Sequence, residues 1–261
     1  EAPAATPPLA AAWEAPGVPK LVEALASMGG GGVWLGIAGP EGSGKSALVD
    51  TALARLEAGI GPLLILRGTC QPGAGDDRAP PFGPIQEAFS RHVPLALTAG
   101  GMHAAIDDAA AMLLGPMGAF LRGDGGASSE ADIFAYLGRK LESLAAARPV
   151  ALVVDDAQWL DSSSLGVLAW LRRHLRTDGL RGLAVIVVGR DLDRLDGQVP
   201  LRRLDVEPLD PDQQRDYLIR AARLAPAAAD WTQDWLGGRR ARQSPRALAE
   251  AVEHLCRKGI L

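Results

Sequence analysis

Cysteines, aromatic residues and long apolar runs are all scarce in this chain of 261 residues. The two cysteines, Cys70 and Cys256, lie far apart and belong to no CxxC pattern. Such a pair predicts reduced thiols rather than a disulfide framework or a zinc site. No apolar run approaches the roughly 20 residues that a membrane-spanning helix needs. We therefore expect no membrane span and a cytoplasmic protein.

A strong net charge is also lacking, since the formal charge is −4. The composition therefore does not indicate a nucleic-acid or membrane-surface partner. The four histidines show no metal-ligand spacing, and no serine lies in a nucleophile-elbow pattern. What the chain does have is 48% hydrophobic and 22% charged residues, which is typical of a globular protein.

The beginning of the chain has neither an initiator Met nor the basic and apolar regions of a signal peptide. We expect an internal piece of a longer protein. Residues 1–19, rich in Ala and Pro, predict a flexible lead-in.

Short apolar runs alternate with amphipathic segments along the rest of the chain. The runs predict strands at 33–38, 63–67, 150–154, 183–188 and 201–206. Helical spacing predicts helices at 20–28, 46–56, 128–148 and 163–176, and an interrupted helical segment at 84–126. The tail reads as helices only, at 211–223, 227–237 and 245–258. We expect an α/β core over 20–207 and a small all-helical lid over 208–261.

One Gly-rich loop carries the clearest chemical signal. Its residues match the pattern G-x-x-x-x-G-K-[ST] and are followed by Ala47: Gly39, Pro40, Glu41, Gly42, Ser43, Gly44, Lys45 and Ser46. Glycines let the backbone turn tightly and point N–H groups at phosphate oxygens, while the following helix adds its positive dipole end. The lysine reaches the β- and γ-phosphates, and the serine hydroxyl can ligate Mg²⁺. The loop predicts ATP or ADP with Mg²⁺; the alternative is a plain Gly-rich turn.

An apolar strand ends in two carboxylates, Asp155 and Asp156. In a phosphate-loop protein we expect the first to hold the metal and the second to activate the attacking water. Two acids there also imply an additional strand beside the phosphate-loop strand. The predicted fold is thus a P-loop NTPase three-layer sandwich with a five-stranded parallel sheet in the order 5-1-4-3-2. The alternative is a solvated strand end.

The stretch Asp155-Asp156-Ala157-Gln158-Trp159-Leu160-Asp161 resembles the signature of signal-transduction ATPases with numerous domains, a branch of the AAA-related ATPases. Further segments agree: residues 67–70 and 79–85, Asp161-Ser162-Ser163-Ser164-Leu165, Val187-Val188-Gly189-Arg190, and Glu207-Pro208-Leu209-Asp210. The resemblance covers roughly residues 20–258. It implies a regulatory switch whose ADP and ATP forms differ in shape and oligomeric state. Two departures are the missing G-R-e segment before Lys20, and Gln243-Ser244-Pro245-Arg246 where the family often has G-N-P.

Several residues are second-rank candidates. Arg190, at the end of the fourth strand, is expected near the γ-phosphate. In the lid, Arg246 is expected to sense the phosphates and Pro245 to pack on the adenine. Trp159 is expected to be a packing residue under the sheet. The cluster Arg239, Arg240 and Arg242 predicts a solvated face, with an acidic partner, a neighbouring subunit's phosphate or DNA as the alternatives.

The leading hypothesis is an ATPase that acts as a regulatory switch or assembly motor, as a homo-oligomer or with a partner protein at the ATPase face. One alternative is a non-hydrolysing scaffold that keeps its nucleotide as a structural cofactor. Another is a DNA-associated ATPase of the origin-recognition or transposon-regulator kind. The sequence does not name the signal, the partner or the output.

Overall fold

The structure, a computed structural model, describes residues 14–72, 81–90, 129–174, 181–237 and 242–261. Within these residues five strands form one sheet: β1 (Val33–Ala38), β2 (Leu64–Thr69), β3 (Val150–Asp155), β4 (Leu183–Gly189) and β5 (Arg202–Asp205). All pairs are parallel, in the order β2-β3-β4-β1-β5. This is the predicted order counted from the opposite edge, so the predicted fold class is confirmed.

Eight helices occur in the described residues. They are α1 (Val18–Ala26), α2 (Lys45–Ile60), α3 (Gly83–Ser90), α4 (Glu130–Ala147), α5 (Ser162–His174), α6 (Pro211–Arg220), α7 (Pro226–Trp235) and α8 (Pro245–Arg257). Helix α1 begins inside the predicted lead-in, of which residues 1–13 lie outside the described residues. The predicted helix at 128–148 corresponds to α4, which Ser129 caps by forming a reciprocal capping box with Asp132. Of the segment 84–126, residues 91–126 lie outside the described part.

Two hydrophobic layers cover the sheet. Along β3, the side chains of Val150, Leu152 and Val154 pack towards α3, α4 and α5. Those of Ala151 and Val153 pack on the other face with α1 and α2. Burial on both faces explains why this strand is a continuous apolar run instead of an alternating one. It also leaves the carboxyl ends of the strands as the place for polar chemistry.

Strand β4 lies between β1 and β3. It is the additional strand that the paired acids predicted. Because all strands are parallel, the loop after β1, the acidic end of β3 and the end of β4 meet at one edge of the sheet.

The helices after β5 have a hydrophobic cluster of their own, built on Leu209, Leu218, Ala229 and Leu248. Backbone hydrogen bonds between Leu209 and Gln243 join the start of this tail to the segment before α8. The boundary at residue 208 stays a prediction. No helix of the described residues is long and apolar enough to cross a membrane.

Candidate functional site

The loop after β1 turns on glycines with positive φ. Gly39 has φ 155°, and a Cβ there would lie 2.4 Å from the carbonyl oxygen of Val206. That oxygen is close because Val206 N donates to the Ala38 oxygen at 2.7 Å, which continues β5 alongside the loop. Gly44, at φ 88°, ends the loop in the left-handed conformation, and α2 begins at Lys45. The amino end of α2 and its dipole therefore face the edge of the sheet where β3 and β4 end.

Lys45 folds over the loop. Its Nζ donates to the carbonyl oxygens of Gly39 and Pro40, both at 2.8 Å. Burial lowers the pKa of the Lys45 amine, and the carboxylates of Asp156 and Asp155 oppose that shift. The amine of Lys45 is thus close enough to both carboxylates to interact with them electrostatically.

Backbone N–H groups of Cys70 and Asp156 hold the acidic end of β3. The carbonyl oxygen of Asp155 accepts from Cys70 N at 2.9 Å, and its carboxylate accepts from Asp156 N at 3.0 Å. Asp156 has φ 55° and ψ 40°, a left-handed conformation that is uncommon for a residue other than glycine. A short 3-10 turn, Ala157–Trp159, follows at once. This conformation turns the chain away from the sheet directly after the second acid.

Gln158 joins the ends of β3 and β4, a role that no sequence pattern indicates. Its Nε2 donates to Asp156 Oδ1 at 2.9 Å, and its Oε1 accepts from Arg190 N at 3.0 Å. In the sequence it is an unassigned position within the signature at residues 155–161. The two contacts come from the sheet order, which brings the ends of β3 and β4 side by side.

The prediction that Trp159 packs under the sheet is wrong. Its side chain is 37% exposed and lines the cavity above the loop. The 3-10 turn after Asp156 carries the indole out past the strand end. The buried anchor of this segment is instead Asp161, whose carboxylate accepts from the backbone N–H groups of Phe82 and Ser164.

Glu41 connects the loop with both candidate arginines. Its Oε2 lies 2.7 Å from Arg190 Nη2, and its Oε1 lies 3.3 Å from Arg246 Nη1. Arg246 also pairs with Glu250 one turn along α8, at 2.8 Å. The loop glutamate was expected only as a member of the phosphate pattern. In the structure it is the acidic centre between two cationic groups.

The amino end of α8 rests on the loop. Ser244 caps the helix by accepting from Ala247 N at 3.1 Å, and Arg246 N donates to the Gly42 oxygen at 3.3 Å. A Cβ on Gly44 would lie 3.6 Å from Pro245 Cγ. Arg246, which the sequence predicts near the phosphates, and Pro245, which it predicts on the adenine, thus both lie against the loop.

A cavity of about 510 Å³ lies between these elements. It is lined by Glu41, Gly42, Gly44, Lys45, Ser46, Ala47, Pro72, Asp155, Asp156, Gln158, Trp159, Arg190, Tyr217, Pro245, Arg246 and Ala249. Of the predicted site residues, Gly39, Pro40 and Ser43 are not in its lining. Ser43 lines a second cavity of about 330 Å³, formed with residues 15–17 and 204–210. The buried Ser43 hydroxyl has no hydrogen-bond partner among the described residues, so a polar ligand group would satisfy it.

The oxygen donors of the first cavity fit a hard divalent cation. The Ser46 hydroxyl and the Asp155 carboxylate both line it. The described part of the chain contains no cluster of three or more acidic, His or Cys side chains that could hold a metal by itself. A cation here needs oxygens from a phosphate and from water as well, which is how Mg²⁺ binds in nucleotide sites.

Part of the basic cluster can be placed. Arg239 and Arg240 lie outside the described residues, whereas Arg242 forms an ion pair with Glu207. That pair lies beside the second cavity.

The comparisons with known proteins agree with this geometry. A family model described as an AAA ATPase domain matches residues 19–188. No curated protein matches the chain.

Several solved structures share the fold. A Walker-type ATPase of Pyrococcus abyssi is 17% identical with a TM-score of 0.52, and the match covers 93% of this chain and 67% of that one. Cdc6p of Pyrobaculum aerophilum is 16% identical with a TM-score of 0.56, covering 93% and 62%. The Aeropyrum pernix ORC1 protein, solved in complex with DNA, is 18% identical with a TM-score of 0.50, covering 92% and 59%. This chain thus spans about three fifths to two thirds of the length of these proteins.

Proposed function

Because this chain belongs to the AAA ATPase domain family, we propose that it binds ATP with Mg²⁺ at the loop of residues 39–46 and hydrolyses it. One observation carries the proposal. Lys45 and Ser46, at the start of α2, line the same cavity as Asp155 and Asp156, at the end of β3. A cation, a hydroxyl and two carboxylates around one space are the groups that phosphoryl transfer to water requires.

Binding uses groups that are already in place. The loop N–H groups and the amino end of α2 face the β-phosphate. The Lys45 amine exchanges its two carbonyl acceptors on Gly39 and Pro40 for phosphate oxygens, which are charged and therefore stronger acceptors. Ser46 and Asp155 would hold Mg²⁺, which neutralises charge on the phosphate oxygens.

Hydrolysis requires a base and cations near the terminal phosphate. We assign the base to Asp156, whose carboxylate accepts the proton of the attacking water. Arg190, which follows β4, and Arg246, in the first turn of α8, both line the cavity. Their guanidinium groups stabilise the negative charge that develops on the terminal phosphate oxygens.

We propose that the second cavity holds the adenine and the ribose of the nucleotide. Its walls come from residues before α1, from Leu48 of α2 and from the segment that leads into α6. Ser43 of the phosphate loop lines this cavity, so the loop borders both cavities. Pro245, which the sequence placed on the adenine, lines the phosphate cavity instead.

We further propose that bound nucleotide closes the helical lid on the core, and that this closure acts as a switch. Arg246 contacts the loop by its backbone N–H and Glu41 by its side chain. A triphosphate therefore changes the partners of a lid residue directly. The expected result is a different hydrodynamic size or oligomeric state with a non-hydrolysable ATP analogue than with ADP. An identical elution volume and an identical light-scattering mass with both nucleotides would contradict the switch.

Turnover separates hydrolysis from binding alone. We expect phosphate release from Mg·ATP by the wild-type protein, and a fall of at least about 100-fold in Asp156→Asn and in Lys45→Ala. Lys258→Ala, which removes an exposed lysine in the last turn of the chain, is the matched control. Tightly bound nucleotide without turnover would favour the non-hydrolysing scaffold.

A further inference from the structure

We propose that Gln158 is a positioning residue, which fixes the carboxylate of Asp156 and ties it to the strand end that carries Arg190. The inference rests on the proposed function, because Asp156 is its base. Its proposed effect passes through these two neighbours, to which its side-chain amide is hydrogen-bonded.

Both ends of the Gln158 amide are in use. Nε2 donates to Asp156 Oδ1 at 2.9 Å, and Oε1 accepts from Arg190 N at 3.0 Å. The two partners have opposite requirements, a carboxylate that only accepts and an N–H that only donates. The orientation of the amide is therefore determined, and a flipped amide would lose both hydrogen bonds.

The amide restrains a carboxylate that the backbone alone leaves exposed. Asp156 projects from a left-handed residue at the start of a short 3-10 turn, and it is exposed. Rotation of its carboxylate, which would exchange the two oxygens, requires the hydrogen bond at Oδ1 to break. Gln158 thus reduces the number of orientations from which Asp156 can meet an attacking water.

The space for the amide is made by Gly189, the last residue of β4. A Cβ at that position would lie 3.3 Å from Gln158 Oε1 and 2.8 Å from Leu192 Cδ2. A larger residue would push against the amide oxygen that accepts from Arg190 N. The contact is therefore part of how the ends of β3 and β4 fit together.

Substitutions at Gln158 can separate the effects of its two hydrogen bonds. Gln158→Glu keeps an acceptor for Arg190 N but puts a second carboxylate next to Asp156 Oδ1. Gln158→Met keeps the length of the side chain and removes both hydrogen bonds. If the residue only held the 3-10 turn against β4, Gln158→Glu would behave like the wild type and Gln158→Met would be the worse variant.

The first test is ATP turnover with separate measurement of affinity. We expect kcat to fall about tenfold in Gln158→Met and further in Gln158→Glu, because like charges repel the base from its position. In Gln158→Met the dissociation constant for Mg·ATP should change less than about twofold, since the phosphate-binding groups are untouched. A wild-type kcat in Gln158→Glu would overturn the proposal, and so would an equal loss of affinity and kcat in Gln158→Met.

The second test does not depend on turnover. The side-chain amide resonance of Gln158 in a ¹H–¹⁵N spectrum of the nucleotide-free protein should shift in Asp156→Ala and stay unchanged in Asp193→Asn. An unchanged resonance in Asp156→Ala overturns the inference, whether or not the protein hydrolyses ATP. If the resonance shifts but the wild-type protein has no turnover, the contact stands and the proposed hydrolysis fails.

Discussion

Arg190 Nη2 lies 2.7 Å from Glu41 Oε2, so the residue that follows β4 is paired with a carboxylate inside the phosphate loop itself. The same carboxylate faces Arg246 from the lid. Both guanidinium groups are assigned here to the terminal phosphate. Under the proposed function, an entering triphosphate would compete with Glu41 for its cationic partners.

Removal of that competition should strengthen ATP binding. In Glu41→Gln we expect the dissociation constant for ATP to fall about fivefold, because two exposed ion pairs of about 0.5 kcal/mol each no longer have to break. ADP, which lacks the terminal phosphate, should change less. Titration of both nucleotides at two salt concentrations checks this, with Glu250→Gln as the control that removes an Arg246 partner outside the cavity. Weaker ATP binding in Glu41→Gln would show that Glu41 helps the site.

The contact of the lid with the loop can be tested at Gly42. Its φ is 73°, and a Cβ would lie 2.9 Å from Arg246 Cβ. Gly42→Ala should therefore push α8 off the loop and weaken ATP binding at least about tenfold, beyond the roughly 1 kcal/mol cost of a positive φ. Gly61→Ala is the matched control, since Gly61 has φ 90° and nothing within 4 Å of the added Cβ. Equal nucleotide affinity in the two variants would contradict the lid contact.

The two cysteines should differ sharply in reactivity. Burial, with help from nearby carboxylates, raises the pKa of the Cys70 thiol to about 12, whereas Cys256 is exposed. At pH 8 Cys70 is neutral and enclosed, so a thiol reagent should modify one cysteine per folded chain and two after denaturation. The variant Cys256→Ser should show none until it unfolds. Rapid labelling of Cys70 in the folded variant would mean that the end of β2 opens.

Asp161 should matter for stability more than for nucleotide binding. Its buried carboxylate accepts from Phe82 N at 3.1 Å and Ser164 N at 2.8 Å, joining the segment before α3 to the start of α5. Asp161→Ala leaves both N–H groups without this acceptor, so we expect the free energy of unfolding to fall by about 2–3 kcal/mol. Chemical denaturation measures the change. An unaltered midpoint would mean that other groups satisfy these donors.

Most of the fold follows from patterns that are local in the sequence. Three of the five strands, β1, β3 and β4, read as apolar runs because they are buried on both faces. The phosphate loop and the paired acids stand at strand ends. Once the strands are parallel, their carboxyl ends must meet. The ends of the strands follow less directly from the sequence. For example, β2 continues to Thr69 because its backbone still pairs with β3 as far as Asp155.

What the sequence did not reveal depends on long-range side-chain contacts. Glu41 and Arg246 are 205 residues apart, and Gln158 and the Arg190 backbone are 32 apart. No periodicity or spacing rule connects such positions. Trp159 was placed wrongly for a related reason, since the direction of its side chain is set by the left-handed conformation of Asp156. Asp adopts that conformation more often than most residues do, but the residue type alone does not predict it.

The most direct test of the account is a calorimetric titration of the nucleotide-free protein with Mg·ATP, for the wild type and Lys45→Ala. Lys45 Nζ donates to two carbonyl oxygens of the loop, which the proposed function has it leave for phosphate oxygens. We expect saturable binding of one ATP per chain in the wild type, and a loss of affinity of at least about 100-fold in Lys45→Ala, since a charged hydrogen-bond donor to the phosphates is removed. Equal binding by the two proteins, or no binding by the wild type, would contradict the assignment of this cavity to a nucleoside triphosphate.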